Sequence, residues 1–329
     1  MNNKKKIYCI LYGGLGNQLF QYSFAKSISL RSDRDLIFIS GRSIFSYFSI
    51  KKNNKSNDKN YVNSFDNKIN LLSLLEIKTT DANIFFNIFY YIVRFIKISH
   101  RKLNLKINKI LNFEIICENI LDYESNIEKT ILESRSKKLI IHGYWQSEKY
   151  FSSNFNIFKN NFKIPQSPKL NFLEIYKKIK SINSVALCIR AYEDIPGNEN
   201  LKKIDDSLMS GTPTLNYYNN AINYLRKKIK NPTFFVFSSK KFSFLKELNL
   251  GPNVYFINND NGFKGTIENF WLMGNFKNLI ISYSSYYWWS CYLAGKLSED
   301  VNVYRPKKNN ALDIKSDYYP NNWIKIEYD

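Results

Sequence analysis

Histidine and cysteine are scarce in this chain of 329 residues, and their scarcity excludes several kinds of chemistry. The only histidines, His100 and His142, have no matching partner signal for nucleophilic catalysis. The four cysteines form no C-x-x-C pair and mostly sit in apolar runs. They indicate buried thiols in a reducing compartment, rather than a disulfide framework or a zinc site.

Long apolar runs are also missing, and none reaches the roughly 20 residues that a membrane-spanning helix needs. The basic start, Met1 to Lys6, precedes an apolar run that ends at Gly13, so no signal peptide is predicted. The short stretch 84–97 is very apolar and aromatic, and basic residues follow it. It is predicted to be either a buried helix or an interfacial helix on an anionic membrane.

Acidic residues are few: 28 Asp and Glu stand against 48 Lys and Arg, a formal net charge of +20. This balance suits an anionic partner such as nucleic acid, a nucleotide-sugar or an anionic membrane, or it reflects compositional drift. The basic residues are scattered and no nucleic-acid motif is present, so nucleic acid is not the expected partner. A hydrophobic share of 44% and an aromatic share of 16% exclude a disordered chain.

The most informative stretch, residues 6–30, is predicted to form a strand, a glycine loop and a helix. The apolar run 7–12 is typical of a buried strand, and Asn17 is expected to open the helix as its cap. Phe20, Phe24 and Ile28 recur on one helix face. Such a loop either binds an anion at the helix N-terminus or serves tight packing alone. It is a poor dinucleotide fingerprint, because Leu19 occupies the third glycine position.

Helices and strands alternate through the second half of the chain, after a proline-containing break near residues 164–168. The predicted strands are 185–189, 233–237, 254–257, 279–282 and 301–304, and the predicted helical stretches are 169–180, 214–229, 242–249, 266–276 and 285–296. This alternation predicts a parallel sheet, whose ligands bind beyond the carboxyl ends of the strands. The expected domains are residues 1–165 and 166–329, and the last residues are allowed to pack back on the first domain.

Polar residues follow these strands, as a ligand site requires. Arg190 is a candidate diphosphate ligand, and Glu193 or Asp194 is a candidate general base, unless all three belong to an ordinary polar loop. Ser284 and Ser285 either contact a phosphate at a helix N-terminus or serve as a simple cap. The D-x-D sequence at residues 33–35 is predicted to be a surface turn rather than a metal site.

Six sequence segments together are similar to those of one protein family. They are Gly-Gly-Leu-Gly-Asn-Gln-Leu-Phe-Gln-Tyr at 13–22, His-Gly-Tyr-Trp-Gln-Ser-Glu-Lys-Tyr-Phe at 142–151, Val-Ala-Leu-Cys-Ile-Arg-Ala-Tyr-Glu at 185–193, Phe-Val-Phe-Ser-Ser-Lys at 235–240, Glu-Asn-Phe-Trp-Leu-Met at 268–273 and Ile-Ser-Tyr-Ser-Ser-Tyr-Tyr-Trp-Trp at 281–289. In order and spacing they resemble glycosyltransferase family 11, the bacterial α-1,2-fucosyltransferases. The resemblance implies an α/β fold of GT-B type, with two Rossmann-like domains facing a central cleft.

The resemblance also implies an inverting transfer from GDP-fucose without a metal or other cofactor. Arg190 is then the main diphosphate ligand, with Glu193 or Asp194 as base. The expected donor-binding residues are Gly14, Gly16, Asn17, Gln18, Arg190, Ser238, Ser239, Glu268, Ser284 and Ser285. The chain departs from the family pattern at Cys188, Ala191, Glu193, Ser239, Lys240, Tyr283 and Tyr287. These departures make diphosphate binding a firmer expectation than guanine specificity or the identity of the base.

The expected partners are a sugar nucleotide and an acceptor that contains galactose, either a glycan or a lipid-linked oligosaccharide. The family resemblance implies surface-polysaccharide synthesis in the bacterial cytoplasm, with peripheral contact to the inner face of the membrane as a further expectation. Three alternatives stay open: a related transferase with another sugar nucleotide, a non-catalytic glycan-binding relative, and a nucleic-acid-binding protein.

Overall fold

The computed structural model describes residues 4–40, 71–82, 113–118, 123–162, 170–190, 213, 215–238, 243–257, 262–298, 300–307 and 317–327. Several sequence predictions lie outside these described residues: the apolar stretch 84–97, the break at 164–168, the acids Glu193 and Asp194, and Ser239. The chain divides into two compact units, residues 1–163 and residues 164–329.

The first unit contains a four-stranded parallel sheet in the order β2-β1-β4-β3. Its strands are β1 (Lys6–Leu11), β2 (Asp35–Ser40), β3 (Phe113–Cys117) and β4 (Lys138–His142). Its helices are α1 (Leu15–Ser32), α2 (Ser125–Glu133) and the short α3 (Phe155–Phe158), with a 3₁₀ turn at Leu71–Leu75. Because β1 is an inner strand, the glycine loop that follows it leaves from the middle of the carboxyl edge.

Helix α1 carries the predicted apolar face: Phe20, Phe24 and Ile28 are all fully buried. The predicted start at Asn17 is wrong, because the helix begins at Leu15 and Gly14 is its N-cap. Gly14 is extended, with φ −69° and ψ 174°, and its carbonyl accepts the Gln18 N–H at 3.1 Å. Asn17 therefore lies within the first turn of α1.

The second unit contains a six-stranded parallel sheet in the order β10-β9-β8-β5-β6-β7. Its strands are β5 (Ser184–Cys188), β6 (Thr233–Phe237), β7 (Val254–Ile257), β8 (Asn278–Ile281), β9 (Asn302–Pro306) and β10 (Ile324–Ile326). Its helices are α4 (Leu170–Ser181), α5 (Leu215–Lys228), α6 (Gly262–Met273) and α7 (Ser285–Leu297). The predicted α/β class with two Rossmann-like parallel sheets is confirmed.

The inner strands β8, β5 and β6 are buried and apolar, as parallel strands with covered faces are. One face packs on α5, where Tyr217, Ala221 and Leu225 join Val185 and Phe234 in the core. The predicted helical stretches 242–249 and 266–276 differ most from the structure. Residues 243–247 form a 3₁₀ turn, and α6 begins at Gly262, four residues before the predicted start at 266.

The last described residues extend the second unit. Strand β10 pairs in parallel with β9, with Ile324 opposite Tyr304 and Ile326 opposite Pro306. The Trp288 Nε1 on α7 donates to the Tyr318 carbonyl at 2.7 Å. These contacts join residues 317–327 to the second unit, and packing of the last residues on the first domain stays a prediction. No helix among the described residues is long and apolar enough to cross a membrane.

Candidate functional site

The glycine loop of the first unit presents bare backbone at the carboxyl edge of β1. Gly13 has a φ of +76°, and a Cβ built there would lie 2.6 Å from the Asn17 Nδ2, so this position requires glycine. A Cβ at Gly14 would meet no described atom within 4 Å. The first N–H groups of α1 have no intrahelical acceptor, so the loop leads into a helix end that is suited to an anion.

Two buried glutamines of α1 fix the shape of this loop. The Gln18 Nε2 donates to the Gly13 carbonyl at 3.1 Å, and its Oε1 accepts the Leu71 N–H at 2.8 Å. The Gln21 amide pairs with both backbone groups of Tyr12, accepting its N–H at 3.1 Å and donating to its carbonyl at 3.3 Å. Gln18, predicted to bind the donor, therefore lies buried with its amide engaged inside the protein.

Asn17 joins the loop to the segment that follows β4. Its Oδ1 accepts a hydrogen bond from the Gln146 Nε2 at 2.8 Å. Both residues are partly exposed, so the pair lies at the surface of the edge rather than in the core. Gly14, Gly16, Asn17 and Gln18 are thus brought together in the first turn of one helix, with Gln146 as a neighbour that the sequence did not indicate.

Glu118, directly after β3, holds the same segment. Its Oε2 accepts the Tyr144 N–H at 2.6 Å and its Oε1 accepts the Trp145 N–H at 2.9 Å. A Cβ at Gly143 would lie 2.8 Å from the Oε2 of Glu118, which explains the glycine there. Burial raises the Glu118 pKa to about 7, and the two backbone hydrogen bonds act in the opposite direction.

Aromatic rings in this part of the edge divide into core and surface. Trp145 is fully buried and stacks on Phe24 at 4.2 Å between centroids. Tyr144 is partly exposed and lies 4.7 Å from the Tyr12 ring, which in turn lies 5.1 Å from the His142 ring. Tyr12, Tyr144 and His142 therefore combine ring contact with partial exposure.

In the second unit, Arg190 stands two residues after β5 and is partly exposed. The Tyr287 hydroxyl on α7 lies 3.1 Å from the Ile189 carbonyl and 3.3 Å from the Phe237 carbonyl. These carbonyls directly precede Arg190 and Ser238. One hydroxyl thus fixes the ends of β5 and β6 against the first turn of α7, and brings both predicted site residues to one edge.

The start of α7 has hydroxyl groups that do not serve as an ordinary cap. Ser284 occupies the N-cap with extended backbone, φ −148° and ψ 121°, but its side chain makes no capping hydrogen bond. Ser282, at the end of β8, is fully buried, and its hydroxyl has no partner among the described residues. Trp288 and Trp289 behind them are fully buried core residues.

Arg190 places a positive charge beside Tyr318 at this edge. Burial raises the pKa of the Tyr318 phenol, and the nearby Arg190 guanidinium opposes that rise. Because Tyr318 also accepts from Trp288 on α7 through its backbone carbonyl, Arg190, the C-terminal segment and α7 share one neighbourhood. Ser284 and Ser285 lie at the start of the same helix, so the structure groups them with Arg190 and Ser238.

Two further sequence candidates occupy other places. Glu268 is buried in the second half of α6, which packs on α7 through a 3.0 Å hydrogen bond from the Ser290 Oγ to the Phe270 carbonyl. Asp33 and Asp35 both pair with Lys4 at 3.2 Å, at the amino end of β2. Arg34 between them is buried and donates to the carbonyls of residues 134 and 136. This arrangement is the predicted turn.

Known proteins are similar to this chain over nearly its whole length. The model of glycosyl transferase family 11 matches residues 6–327. An α-1,2-colitosyltransferase of Escherichia coli is 27% identical over 96% of this chain and 97% of its own length. The O-antigen biosynthesis glycosyltransferase WbnK of Escherichia coli is 26% identical over 97% of this chain and 100% of its own length.

Among solved structures, the fucosyltransferase NodZ from Bradyrhizobium matches 88% of this chain and 93% of its own chain, with 11% identity and a TM-score of 0.46. The family match spans both units, and it includes the glycine loop, the segment after β4, the end of β5 and the start of α7. The chain belongs to glycosyltransferase family 11.

Proposed function

We propose that this glycosyltransferase moves L-fucose from GDP-β-L-fucose to the 2-hydroxyl of a galactoside during bacterial surface-polysaccharide synthesis. The observation that carries the proposal is the start of α7, where Ser284 does not cap the helix and the buried Ser282 hydroxyl has no partner among the described residues. A helix N-terminus with free hydroxyls and a neighbouring arginine suits a diphosphate.

In the proposed reaction the acceptor oxygen attacks the anomeric carbon of the sugar, and the bond from that carbon to the diphosphate oxygen breaks. The acceptor proton passes to one carboxylate. Glu193 is the first candidate for this base, and Asp194 is the second. The departing diphosphate gains charge, which we expect Arg190 and the N–H groups of α7 to stabilise. We propose that these groups make a metal ion unnecessary, as the family resemblance implies.

The test of the donor site replaces Arg190. Arg190→Lys keeps the charge but loses the planar fork, so we expect turnover to fall by ~10²–10³. Arg226→Lys is the matched control, because Arg226 lies in the last turn of α5 and stacks on Phe234, 5.9 Å from its ring centroid. Near-normal turnover of the Arg190→Lys variant would refute the assignment of Arg190.

A second donor, a colitose nucleotide, is favoured by the name of the Escherichia coli relative that is 27% identical. Colitose is L-fucose without its 3-hydroxyl, so both sugars place the same reacting carbon beside the diphosphate. Transfer assays with both GDP-sugars and a set of galactosides, followed by NMR of the product linkage, separate the two donors. Full activity that depends on added manganese and is lost in EDTA would contradict the proposed metal-free mechanism.

Membership of an O-antigen pathway is proposed from the name of WbnK and from the family resemblance. The acceptor is then a galactose-containing glycan or lipid-linked oligosaccharide on the cytoplasmic side of the membrane. Retained glycan binding without any donor hydrolysis or transfer would instead support the non-catalytic alternative.

A further inference from the structure

Arg305 stands one residue before the end of β9, beside the carboxyl end of β8. The register of these two strands pairs Ile280 with Tyr304, so Arg305 and Ile281 each follow the last pair by one residue. The Tyr217 hydroxyl on α5 lies 2.7 Å from the Ile281 carbonyl and 3.0 Å from the Tyr304 carbonyl. This contact fixes the two strand ends side by side, so Arg305 and Ser282 occupy the same edge.

Three buried donors near this edge have no hydrogen-bond partner among the described residues: the Ser282 Oγ, the Arg305 Nε and the Tyr319 hydroxyl. The Arg305 guanidinium lies 5.0 Å from the centroid of the Tyr319 ring. Within the described part of the chain, its hydrogen bond is a donation from Nη1 to the Pro306 carbonyl at 3.2 Å. Unused buried donors cost free energy, so their clustering points to a ligand rich in acceptor oxygens.

The charge of Arg305 is also not neutralised by a direct ion pair. No carboxylate of the described residues lies within 4.0 Å of its guanidinium. Glu327, the acid on the neighbouring strand end, pairs instead with Lys307 and with Lys325, each at 2.7 Å. Burial lowers the Arg305 pKa, but a guanidinium stays charged at neutral pH. Arg305 is partly buried, and a cation in such a place without a carboxylate partner among the described residues is suited to an anionic ligand.

The strand order β9-β8-β5 puts Arg305 and Arg190 on opposite sides of the start of α7. Neighbouring strands lie about 4.8 Å apart, so two strand spacings separate these arginines and the helix N-terminus lies between them. We infer that Arg305 is a second ligand of the donor diphosphate, which Arg190 holds from the other side. This inference rests on the proposed function and deepens it. Residue 191, directly after Arg190, is alanine, so the β5 loop offers no second arginine there.

The test compares the binding of GDP and GMP by isothermal titration in the full chain. Arg305→Gln should weaken GDP binding by ~10–100-fold, the range of a lost charge-assisted hydrogen bond, and GMP binding far less. Arg305→Lys should lose several-fold, because it keeps the charge without the fork. Lys325→Gln is the matched control, since Lys325 pairs with Arg305 in the strand register but has a side chain 48% exposed.

The outcomes separate the inference from the function beneath it. An equal loss of GDP and GMP binding in both Arg305 variants, together with a lower melting temperature, would show a structural role and overturn the inference. Unchanged GDP binding in Arg305→Gln with weak binding in Arg190→Gln would overturn the inference alone. Failure of the unmodified protein to bind GDP, UDP or dTDP would overturn both. Should Arg305→Gln not fold, unchanged GDP-to-GMP selectivity in Arg305→Lys would also contradict the inference.

Discussion

The carboxyl edges of the two sheets use polar side chains in opposite ways. In the first unit the polar side chains form hydrogen bonds with backbone groups of the same unit, as Gln18, Gln21 and Glu118 do. In the second unit Ser282 and Arg305 keep donors without partners among the described residues. The first edge therefore presents backbone groups whose positions are fixed by side chains. The second edge presents side chains whose donors are not used within the described residues.

This difference makes glycine the sensitive residue type in one unit and arginine or serine in the other. At the first edge a bound ligand would contact backbone N–H groups, which every substitution except proline leaves in place. Added bulk beside these groups is therefore the main way in which a substitution would interfere. At the second edge each contact belongs to one side chain and can be removed singly. Alanine at Gly13 and alanine at Gly14 should therefore have different effects. Comparing these two variants tests whether the first edge acts through its backbone.

The largest effect is expected from the two glycines of the loop. Gly14→Ala fits its extended backbone and open surroundings, so the free energy of unfolding should change by less than ~1 kcal/mol. The added methyl group occupies the space where a ligand would approach the N–H groups of α1, and turnover should fall by ~10²-fold. Steady-state kinetics and urea denaturation measure the two quantities.

Gly13→Ala is the matched counterpart. Its φ of +76° and the 2.6 Å approach to Asn17 should destabilise the protein by about 2–3 kcal/mol. If Gly14→Ala kept full turnover with normal stability, the first edge would not contact a ligand through its backbone. The contrast between the two edges would then fail.

The sequence predicted these edges unevenly. The repeat of Phe20, Phe24 and Ile28 identified the buried face of α1, because helix periodicity is a local property. The apolar runs likewise predicted the strands of the second unit. The predicted helix cap was wrong by three residues, since Asn17 is a good cap by residue type but Gly14 supplies the extended backbone in the folded loop.

The contacts that shape each edge were beyond sequence reasoning. Glu118 meets Tyr144 across 26 positions and Gln18 meets Leu71 across 53, so no local pattern connects them. Arg190 was found because it directly follows a recognisable strand. Arg305 also directly follows a predicted strand, 301–304, but it was not singled out; the structure extends that strand to Pro306, so Arg305 lies within β9.

A smaller effect is expected from the two tyrosines that fix the second edge. Tyr287→Phe removes the hydroxyl that the Ile189 and Phe237 carbonyls share, and Tyr217→Phe does the same for Ile281 and Tyr304. Each should lower the free energy of unfolding by about 1–2 kcal/mol, the cost of a lost buried hydrogen bond.

The affinity for GDP is a second measurement for Tyr287→Phe. Tyr287→Phe removes the contact that holds Ile189, the residue before Arg190. The affinity of the folded variant for GDP should therefore fall several-fold. Titration at a temperature where both variants stay folded measures this. Tyr224→Phe provides a control on α5, because its ring packs edge-on against Tyr304. A Tyr287→Phe variant with wild-type stability and GDP affinity would show that the strand ends need no such support.

The smallest effect is a pH dependence in the first unit. Burial raises the Glu118 pKa from 4.5 to about 7, so the fold favours the protonated carboxyl. The stability that this proton contributes is fully present below pH 4.5 and is lost as the pH rises through 7. Glu124 adds to the rise, while the N–H groups of Tyr144 and Trp145 oppose it.

Glu118→Gln should therefore flatten the fall in stability between pH 5 and pH 8 by about 1–2 kcal/mol. Thermal denaturation at several pH values measures this, and Glu133→Gln, which removes an exposed carboxylate of α2, should leave the fall unchanged. Glu118→Gln also turns one of the two side-chain oxygens that accept the Tyr144 and Trp145 N–H groups into a donor. Hydrogen exchange at Tyr144 or Trp145 should therefore accelerate at every pH. An unaltered pH profile with unaltered exchange would mean that Glu118 does not hold the segment after β4, and that the backbone of the first edge is fixed by the glutamines alone.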